Sequence, residues 1–215
     1  MSLRKRESKR KVLFLLFFII ASASVGCMLK VPHTIIPDYQ DKSPTSIAVL
    51  PVQNETVDMD APNVFRSKLL SKVISKGYVS PSSAQIDDKL GEKGIREAGQ
   101  LGSMTSQELG EFLNVDALLY STVTEWSTTY LVVYSSIKVG AKFQLIDVKT
   151  GKQLWESEHE VSKKKFGTDK ESIGNSLAFA ALQRYDPYVD NVIEKTFLTL
   201  PNGPHFVPSK RGGCL

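Results

Sequence analysis

The sequence predicts a mixed α/β (α+β) domain in which helices flank a mixed β-sheet that contains an antiparallel meander and a hairpin. A short apolar run at residues 46–52, interrupted by Pro51, is typical of a buried strand, and a helical pattern follows it. Residues 115–161 are rich in β-forming residues and turn signals, which indicates the meander and the hairpin. With 215 residues, 41% of them hydrophobic, the chain is long enough for one cored domain but not for two large ones.

Residues 1–26 have the three parts of a secretory signal peptide: a basic segment, an apolar run and a stretch of small residues. The apolar run at residues 12–20 is shorter than the roughly 20 residues that a membrane-spanning helix needs. Residues 24–27, Ser-Val-Gly-Cys, resemble the lipobox of bacterial lipoproteins, which usually has Leu in place of Ser24. We therefore expect cleavage before Cys27 and lipidation of its thiol, with an uncleaved anchor or ordinary secretion as the alternatives.

Acyl chains on Cys27 would hold the mature protein permanently at a membrane. In the sorting pattern of such lipoproteins, inner-membrane retention usually needs Asp after the lipidated cysteine, so Met28 implies the outer membrane. Six of the 27 basic residues and one of the 23 acidic residues precede Cys27, which leaves 21 and 22 and a net charge of −1. This balance does not favour a nucleic-acid partner. Cys214 is the only other cysteine, so no disulfide within the chain is expected.

Residues 27–45 carry three prolines among polar residues and show no sustained period, which predicts a tether between the lipid and the fold. A single domain at residues 46–200 is expected to follow. The proline- and glycine-rich tail at residues 201–215 is predicted to be irregular.

The first helix of the domain is predicted from apolar residues at helical spacing between Val64 and Ile74, with Pro62 in the first turn and Gly77 at the end. A short strand is expected at residues 78–81, and a flexible loop at residues 91–102. A second short helix follows, since its start has the pattern of a capping box, formed by Thr105 and Glu108.

The meander is predicted as three successive strands, at residues 117–123, 130–137 and 138–148. A turn with Gly151 at a positive φ then leads to a fourth strand at residues 153–161. A helix is predicted at residues 171–185, broken at Pro187 and resumed through residues 189–197.

The residues suited to catalysis or metal binding are few and scattered. The three histidines lie in the tether, in the fourth predicted strand and in the tail: His33, His159 and His205. No HExxH, CxxC, GxGxxG, P-loop or GxSxG motif occurs, so no catalytic residue, cofactor site or metal site is predicted. One enzymatic alternative uses His159 with the nearby carboxylates of that strand: Glu156, Glu158 and Glu160. The two beside it, Glu158 and Glu160, would raise its proton affinity.

Two groups of residues are candidates for binding surfaces. A basic cluster at residues 163–165 suits a solvated strand end or, less often, an anionic surface. The aromatic residues of the meander and hairpin suit the core or, as a minority alternative, an exposed interface: Trp126, Tyr130, Tyr134 and Trp155.

Four segments together resemble a family of bacterial envelope lipoproteins of unknown function that includes a neisserial vaccine-candidate antigen. They are SIAVLPVQNET at residues 46–56, QELGEFLNVDALLYST at 107–122, LIDVKTGKQLW at 145–155 and LPNGP at 200–204. The resemblance implies a fold similar to the amino-terminal domain of TolB and, more distantly, to the curli pore lipoprotein and the lipoprotein activators of penicillin-binding proteins. It brings no catalytic residues, and it implies a homodimer and curli-pore-like lipoproteins as partners.

Together these observations predict a non-enzymatic outer-membrane lipoprotein that belongs to an envelope complex for secretion or surface assembly. This expectation about the complex comes from fold analogy. One alternative is a binding module that activates a periplasmic enzyme acting on the cell wall, and another is an uncharacterised hydrolase.

Overall fold

The computed structural model describes residues 31–131, 134–166 and 185–208. Its strands are β1 (His33–Ile35), β2 (Ile47–Val49), β3 (Gln53–Asn54), β4 (Ala117–Leu131), β5 (Tyr134–Asp147) and β6 (Gln153–Phe166). Its helices are α1 (Ala61–Ser75), α2 (Ser83–Glu92), a 3₁₀-helix at Ala98–Ser103, α3 (Ser106–Leu113) and α4 (Asp186–Phe197).

These strands form one sheet in the order β1-β6-β5-β4-β2, with β3 also paired to β4. β2 and β3 run parallel to β4, whereas the β4–β5, β5–β6 and β6–β1 pairs are antiparallel. A parallel pair needs a long crossover connection, which the chain supplies through α1, α2 and α3 between β3 and β4. The predicted mixed sheet with an antiparallel meander and flanking helices is confirmed.

The helices bury two separate apolar clusters against the sheet. One cluster holds the apolar side of α1 with that of α4, including Phe65, Leu69 and Phe197. The other holds α2 and α3 against β2 and the start of β4, including Leu90 and Leu109. Because residues alternate between the faces of a strand, neighbours in β2 and β4 contribute to different clusters.

Local signals predicted the helix ends correctly where they were used. Pro62 lies in the first turn of α1, and Gly77 follows its last residues at a φ of 85°. Thr105 and Glu108 form the expected capping box of α3. The prediction omitted α2, although Ser82 and Gln85 form a capping box there with the same spacing. The predicted loop at residues 91–102 is wrong in its first and last parts, which belong to α2 and the 3₁₀-helix.

The prediction that residues 27–45 form only a tether is wrong from residue 31 onwards. The main compact unit begins at Val31, and β1 pairs with β6 along the edge of the sheet. Tyr39 is only 2% exposed, and its hydroxyl lies 2.8 Å from that of Tyr78. The prolines misled the prediction because proline is tolerated beside a short edge strand as well as in a tether.

The meander and hairpin together contain three long strands where the sequence predicted four shorter ones. The predicted strand at residues 130–137 instead spans the end of β4 and the start of β5. β6 continues to Phe166 and so includes the lysines at residues 163–165. The turn before β6 has the expected positive φ at Gly151, 65°.

A smaller correction concerns the strand predicted at residues 78–81, which is reduced to an isolated parallel bridge between Ser46 and Val79. The helix predicted through residues 189–197 is present as α4, with Pro187 in its first turn. The predicted break before it depends on residues 171–184, which lie outside the described residues.

Several predicted features lie outside the described residues: the signal peptide, Cys27, residues 171–184 of the predicted helix, and Cys214. The part of the tail at residues 201–208 has no regular structure, as expected. Among the described helices, none combines the length and the apolar character that crossing a membrane requires.

Candidate interaction surfaces

His159 does not form a catalytic group with the neighbouring glutamates. It pairs with Ala141 in the register of β5 and β6, and it alternates with the glutamates, so that the two sets point to opposite faces of the sheet. Burial lowers the pKa of His159, and Lys195 lowers it further, against a smaller opposite effect of Glu160. Glu160 thus acts in the expected direction, but burial and Lys195 outweigh it, so the net proton affinity of His159 is lowered.

The glutamates have structural partners of their own. Glu156 accepts a hydrogen bond of 2.7 Å from the Gln144 amide and lies 3.3 Å from the Lys142 ammonium. The hydrogen bond from Gln144 is the main reason that its pKa is lowered. Glu158 and Glu160 are exposed. This arrangement is that of a solvated strand face, and it does not direct a carboxyl group at His159.

The histidines are not brought together either. The His33 ring bonds the carbonyl of Val31 at 2.9 Å, His159 lies on β6, and His205 lies in the tail. Within the described ranges, no group of three or more histidine, cysteine, aspartate or glutamate side chains could hold a metal ion.

Both tryptophans of the sheet belong to the core. Trp155 is fully buried, and its indole N–H donates to the Thr199 hydroxyl at 2.9 Å. Trp126 is 7% exposed and stacks on Tyr185, with 4.2 Å between ring centroids. The minority expectation that these residues are exposed interface anchors is wrong for both tryptophans, while Tyr134 is half-buried.

The first residues of the tail pack against the end of α1. The Tyr78 hydroxyl donates to the Pro201 carbonyl at 2.8 Å, and the Gly203 N–H donates to the Lys76 carbonyl at 2.8 Å. A Cβ at Gly203 would overlap the Gly77 carbonyl and the Tyr78 ring. The segment LPNGP is therefore a close-packed structural contact.

Exposed apolar side chains collect around this same end. Lys68 pairs with Asp190 at 2.8 Å and Lys72 with Glu194 at 2.6 Å. Since the partners follow the same order along both helices, α1 and α4 lie side by side and run in the same direction. Their carboxyl ends therefore meet. Five large apolar residues with substantial exposure lie at or next to these ends, and we call them the helix-end patch: Ile74 (53% exposed), Val79 (52%), Leu198 (72%), Phe206 (38%) and Val207 (81%).

The far ends of the meander strands stay paired in register. Leu131 lies opposite Tyr134, and Tyr134 lies opposite Phe166. Two exposed lysines, Lys163 and Lys164, lie two or three positions before this end of β6.

The comparisons with known proteins agree with the fold described above. Residues 36–196 match the sequence profile of the family described as "Putative lipoprotein GNA1162-like". The chain belongs to this family. The GNA1162-like match confirms the resemblance drawn from the four sequence segments, and it supports a place in the cell envelope, where lipoproteins are found.

Individual relatives of the GNA1162-like family extend the comparison. The chain is 28% identical over 145 residues to "Putative lipoprotein NMB1124/NMB1162" of Neisseria meningitidis serogroup B, which covers 67% of each chain. The crystal structure of lipoprotein GNA1162 from Neisseria meningitidis has a TM-score of 0.54 at 25% identity and covers 64% of this chain and 96% of that one.

A PelC dodecamer from Paraburkholderia phytofirmans has a TM-score of 0.50 at 18% identity and covers 78% of this chain and 94% of that one. At that identity, the likeness to PelC shows a shared fold alone.

The sequence did not predict the helix-end patch of this GNA1162-like protein. Its members come from two regions of the chain, residues 74–79 and 198–207, and isolated exposed apolar residues are common on protein surfaces. One signal was available, since Leu198 and Val207 lie just outside the helical apolar pattern near the tail. Only the parallel packing of α1 and α4 brings these residues to one end.

Proposed function

We propose that the mature protein is attached to the outer membrane by lipid on Cys27 and acts there as a non-enzymatic component of an envelope protein complex. The observation that carries this proposal is the match of residues 36–196 to a lipoprotein family. The lipobox-like residues 24–27 and the preceding signal-peptide pattern support it. A role in secretion or surface assembly fits such a complex.

The helix-end patch is the proposed contact surface for the protein partner. Its side chains are apolar, with exposures from 38% to 81%, and apolar side chains exposed near one another often mark a protein interface. Beside them, Lys72 and Glu194 form an ion pair at 2.6 Å. Such a surface suits another copy of this chain or another envelope lipoprotein.

Self-association is part of this proposal. The PelC protein of similar fold is described as a dodecamer, which is compatible with a fold that presents surfaces to copies of itself. Mass photometry of the detergent-extracted protein measures the number of copies directly. We expect a homodimer or a larger closed oligomer, and a strictly monomeric protein at micromolar concentration would contradict this part.

The anchor is tested by Cys27→Ser. We expect the variant to lose acylation and processing, because no sulfur remains to form the thioether, and to retain the full mass of the precursor. Intact mass spectrometry of membrane extracts reports both changes together. Cys214→Ser is the matched control and should leave the mass of the lipid unchanged.

The contact surface is tested by the double variant Ile74→Ser and Leu198→Ser. Both side chains are exposed, so the fold should persist, while burial of each in an interface contributes about 1 kcal/mol or more. We expect affinity capture of the tagged protein from membranes to recover its partner at least about tenfold less well.

The control for this experiment is the double variant Val57→Ser and Met59→Ser. These residues are also apolar, at 96% and 85% exposure, but lie in the loop before α1. Equal loss of partner in both double variants, or no loss in either, would remove the helix-end patch as the contact surface.

The non-enzymatic part of the proposal is tested by His159→Gln, which retains the size and polarity of the side chain. We expect cells that carry this variant to keep the wild-type phenotype. A loss of function with normal amounts of folded protein would favour the hydrolase alternative.

A further inference from the structure

The second half of β6 is a free edge of the sheet. β1 pairs with residues 155–157 of β6, and the last hydrogen bond on that side joins the Glu158 N–H to the Pro32 carbonyl at 3.4 Å. β6 then continues to Phe166 while it stays paired with β5 on its other side. Among the described residues, no strand covers this stretch on the side of β1.

The backbone groups along this edge belong to alternate residues. In an antiparallel sheet, successive residues of a strand direct their N–H and C=O groups to opposite neighbours. Since Glu158 bonds towards β1, the backbone groups of Glu160, Ser162 and Lys164 point to that side as well. Within the described part of the chain, these groups make no hydrogen bond there. The edge can therefore accept another strand.

The helix that packs on β6 does not block this edge. Tyr185, just before α4, stacks on Trp126 of β4, whereas Phe197 at the end of α4 meets Trp155 of β6 with 5.6 Å between ring centroids. α4 thus crosses the sheet diagonally and reaches β6 near Trp155. The side chains of residues 162–164 are exposed on both faces of the sheet.

The charges along the edge are complementary to themselves. Antiparallel pairing with a second copy, centred on Ser162, places Glu160 opposite the second copy's Lys164, and Lys164 opposite its Glu160. Opposite charges directly across an antiparallel pair stabilise it, and like charges destabilise it. Glu160 and Lys164 are exposed, and neither has an ion-pair partner among the described residues. The charge pattern therefore favours a second copy over an unrelated strand.

The two ends of the free edge favour the same register. The chain at Pro32 occupies the edge as far as Glu158, β6 ends at Phe166, and Ser162 lies midway between these two residues. Pairing centred there uses all three free positions, and two bonds for each give about six hydrogen bonds. A shift of two residues in either direction separates Glu160 from Lys164, and in one direction it also brings the second strand against Pro32.

We propose that two copies of the protein join through residues 160–164 of β6, in an antiparallel pair about a two-fold axis at Ser162, so that one continuous sheet runs through the dimer. The contact is closed, since the same edge serves both copies. Backbone hydrogen bonds of this kind are a common source of affinity between proteins. This inference rests on the self-association in the proposed function and adds the surface that the copies use. The helix-end patch then stays available for a different envelope protein.

Cysteine cross-linking of the mature, detergent-extracted protein tests the register. In a Cys214→Ser background, Ser162→Cys places two thiols across the axis with a Cα separation of about 5.5 Å, which is within disulfide range. The control Glu158→Cys is exposed on the same edge, but about 26 Å along the strands separates its two copies. After oxidation with copper phenanthroline, we expect most of the Ser162→Cys protein to run as a dimer on a non-reducing gel, and the Glu158→Cys protein to run as a monomer.

A charge series tests the cross-strand pairs. Lys164→Glu places like charges opposite each other at both ends of the contact, so the dissociation constant of the dimer should rise at least about tenfold in sedimentation equilibrium. The double variant Glu160→Lys and Lys164→Glu exchanges the charges and should restore association. Lys149→Glu makes the same charge change at an exposed turn and should have no effect. An exchanged variant that stays dissociated, or equal weakening by Lys149→Glu, would contradict the pairing.

The state of the wild-type protein separates this inference from the proposed self-association. A monomeric wild-type protein contradicts both. A dimer in which Ser162→Cys and Glu158→Cys cross-link equally, or in which neither cross-links, contradicts the edge pairing alone.

Discussion

At the scale of single residues, glycines decide how the tail meets the domain. Gly77 has a φ of 85°, a conformation that residues with a side chain rarely adopt. A Cβ at this position would also overlap the backbone of Phe206. Gly77 therefore both ends α1 and leaves room for the tail to pack there.

Because Gly77 has both roles, the variant Gly77→Ala tests them together. We expect the variant to lose more than about 2 kcal/mol of unfolding free energy, since the left-handed conformation alone costs about 1–2 kcal/mol and the overlap adds to it. Urea unfolding followed by circular dichroism measures the change. Gly91→Ala is the control, because a Cβ there meets nothing within 4 Å and alanine favours the helix α2. A Gly77→Ala variant as stable as Gly91→Ala would contradict this account.

Single residues also show where a sequence pattern misleads about chemistry. His159 and its neighbouring glutamates are adjacent in the chain, but the two-residue period of β6 separates them across the sheet. Burial then lowers the pKa of His159. Proximity in sequence therefore overstated their interaction.

At the scale of elements, Asp116 joins the start of β2 to the start of β4. One oxygen of its carboxylate accepts hydrogen bonds from the Thr45 N–H at 3.0 Å and from the N–H and hydroxyl of Ser46, each at 2.9 Å. Burial acts to raise the pKa of Asp116, but these hydrogen bonds outweigh it and hold the pKa below its usual value of 3.8. A parallel strand pair is thereby tied at one end by a side chain.

These hydrogen bonds to Asp116 make the stability of the fold depend on pH in a defined direction. Because the folded-state pKa is lowered, the stabilisation is present above about pH 3.8 and is lost as the pH falls through the folded-state pKa. At pH 7 we expect Asp116→Asn to lose about 1 kcal/mol, a low value because the carboxylate is partly exposed.

Urea unfolding of both proteins between pH 7 and pH 2.5 checks this prediction. The difference between wild type and Asp116→Asn should shrink towards the acid end. A difference that stays constant over the whole range would show that the charge of Asp116 does not contribute.

The strands of the meander show why element boundaries were harder to predict than element types. Residues 117–148 contain one glycine, Gly140, and no proline, and β-forming residues continue through the β4–β5 connection. Without a turn signal, a β-rich pattern indicates strands but not where the chain reverses. The register of Leu131 with Tyr134 decides that point.

At the scale of the whole molecule, the helix-end patch lies at one end of the sheet. It lies near the start of β4, where Ser46 bridges to Val79. β4 has 15 residues, so its other end lies about 46 Å away. The partner surface of the proposed complex is therefore confined to one end of the domain.

The segment between Cys27 and the domain can be lengthened without touching the patch. Inserting 12 Gly/Ser residues after Met28 adds a flexible segment with a mean span of about 19 Å. We expect recovery of the partner by affinity capture to fall at least about fivefold, because a longer tether lowers the effective concentration of the patch at a partner in the same membrane. Replacing residues 28–30 by Gly-Ser-Gly keeps the length and should leave recovery unchanged. Undiminished recovery with the long insert would contradict a contact that depends on the length of the tether.

The sequence alone determined the fold class, the capped start of α3, the end of α1 at Gly77, the positive φ at Gly151, and the family to which the chain belongs. These properties depend on local backbone preferences and on residue periodicity, which neighbouring residues specify. The lipidation of Cys27 remains a prediction from its signal pattern.

The tertiary structure decided which residues share a surface. It placed Tyr39 in the core, separated His159 from its glutamates, and gathered the helix-end patch from two distant regions of the chain. The physical reason is that burial and contact depend on strand register and helix packing, which join residues more than a hundred positions apart. Local sequence patterns carry little information about such contacts.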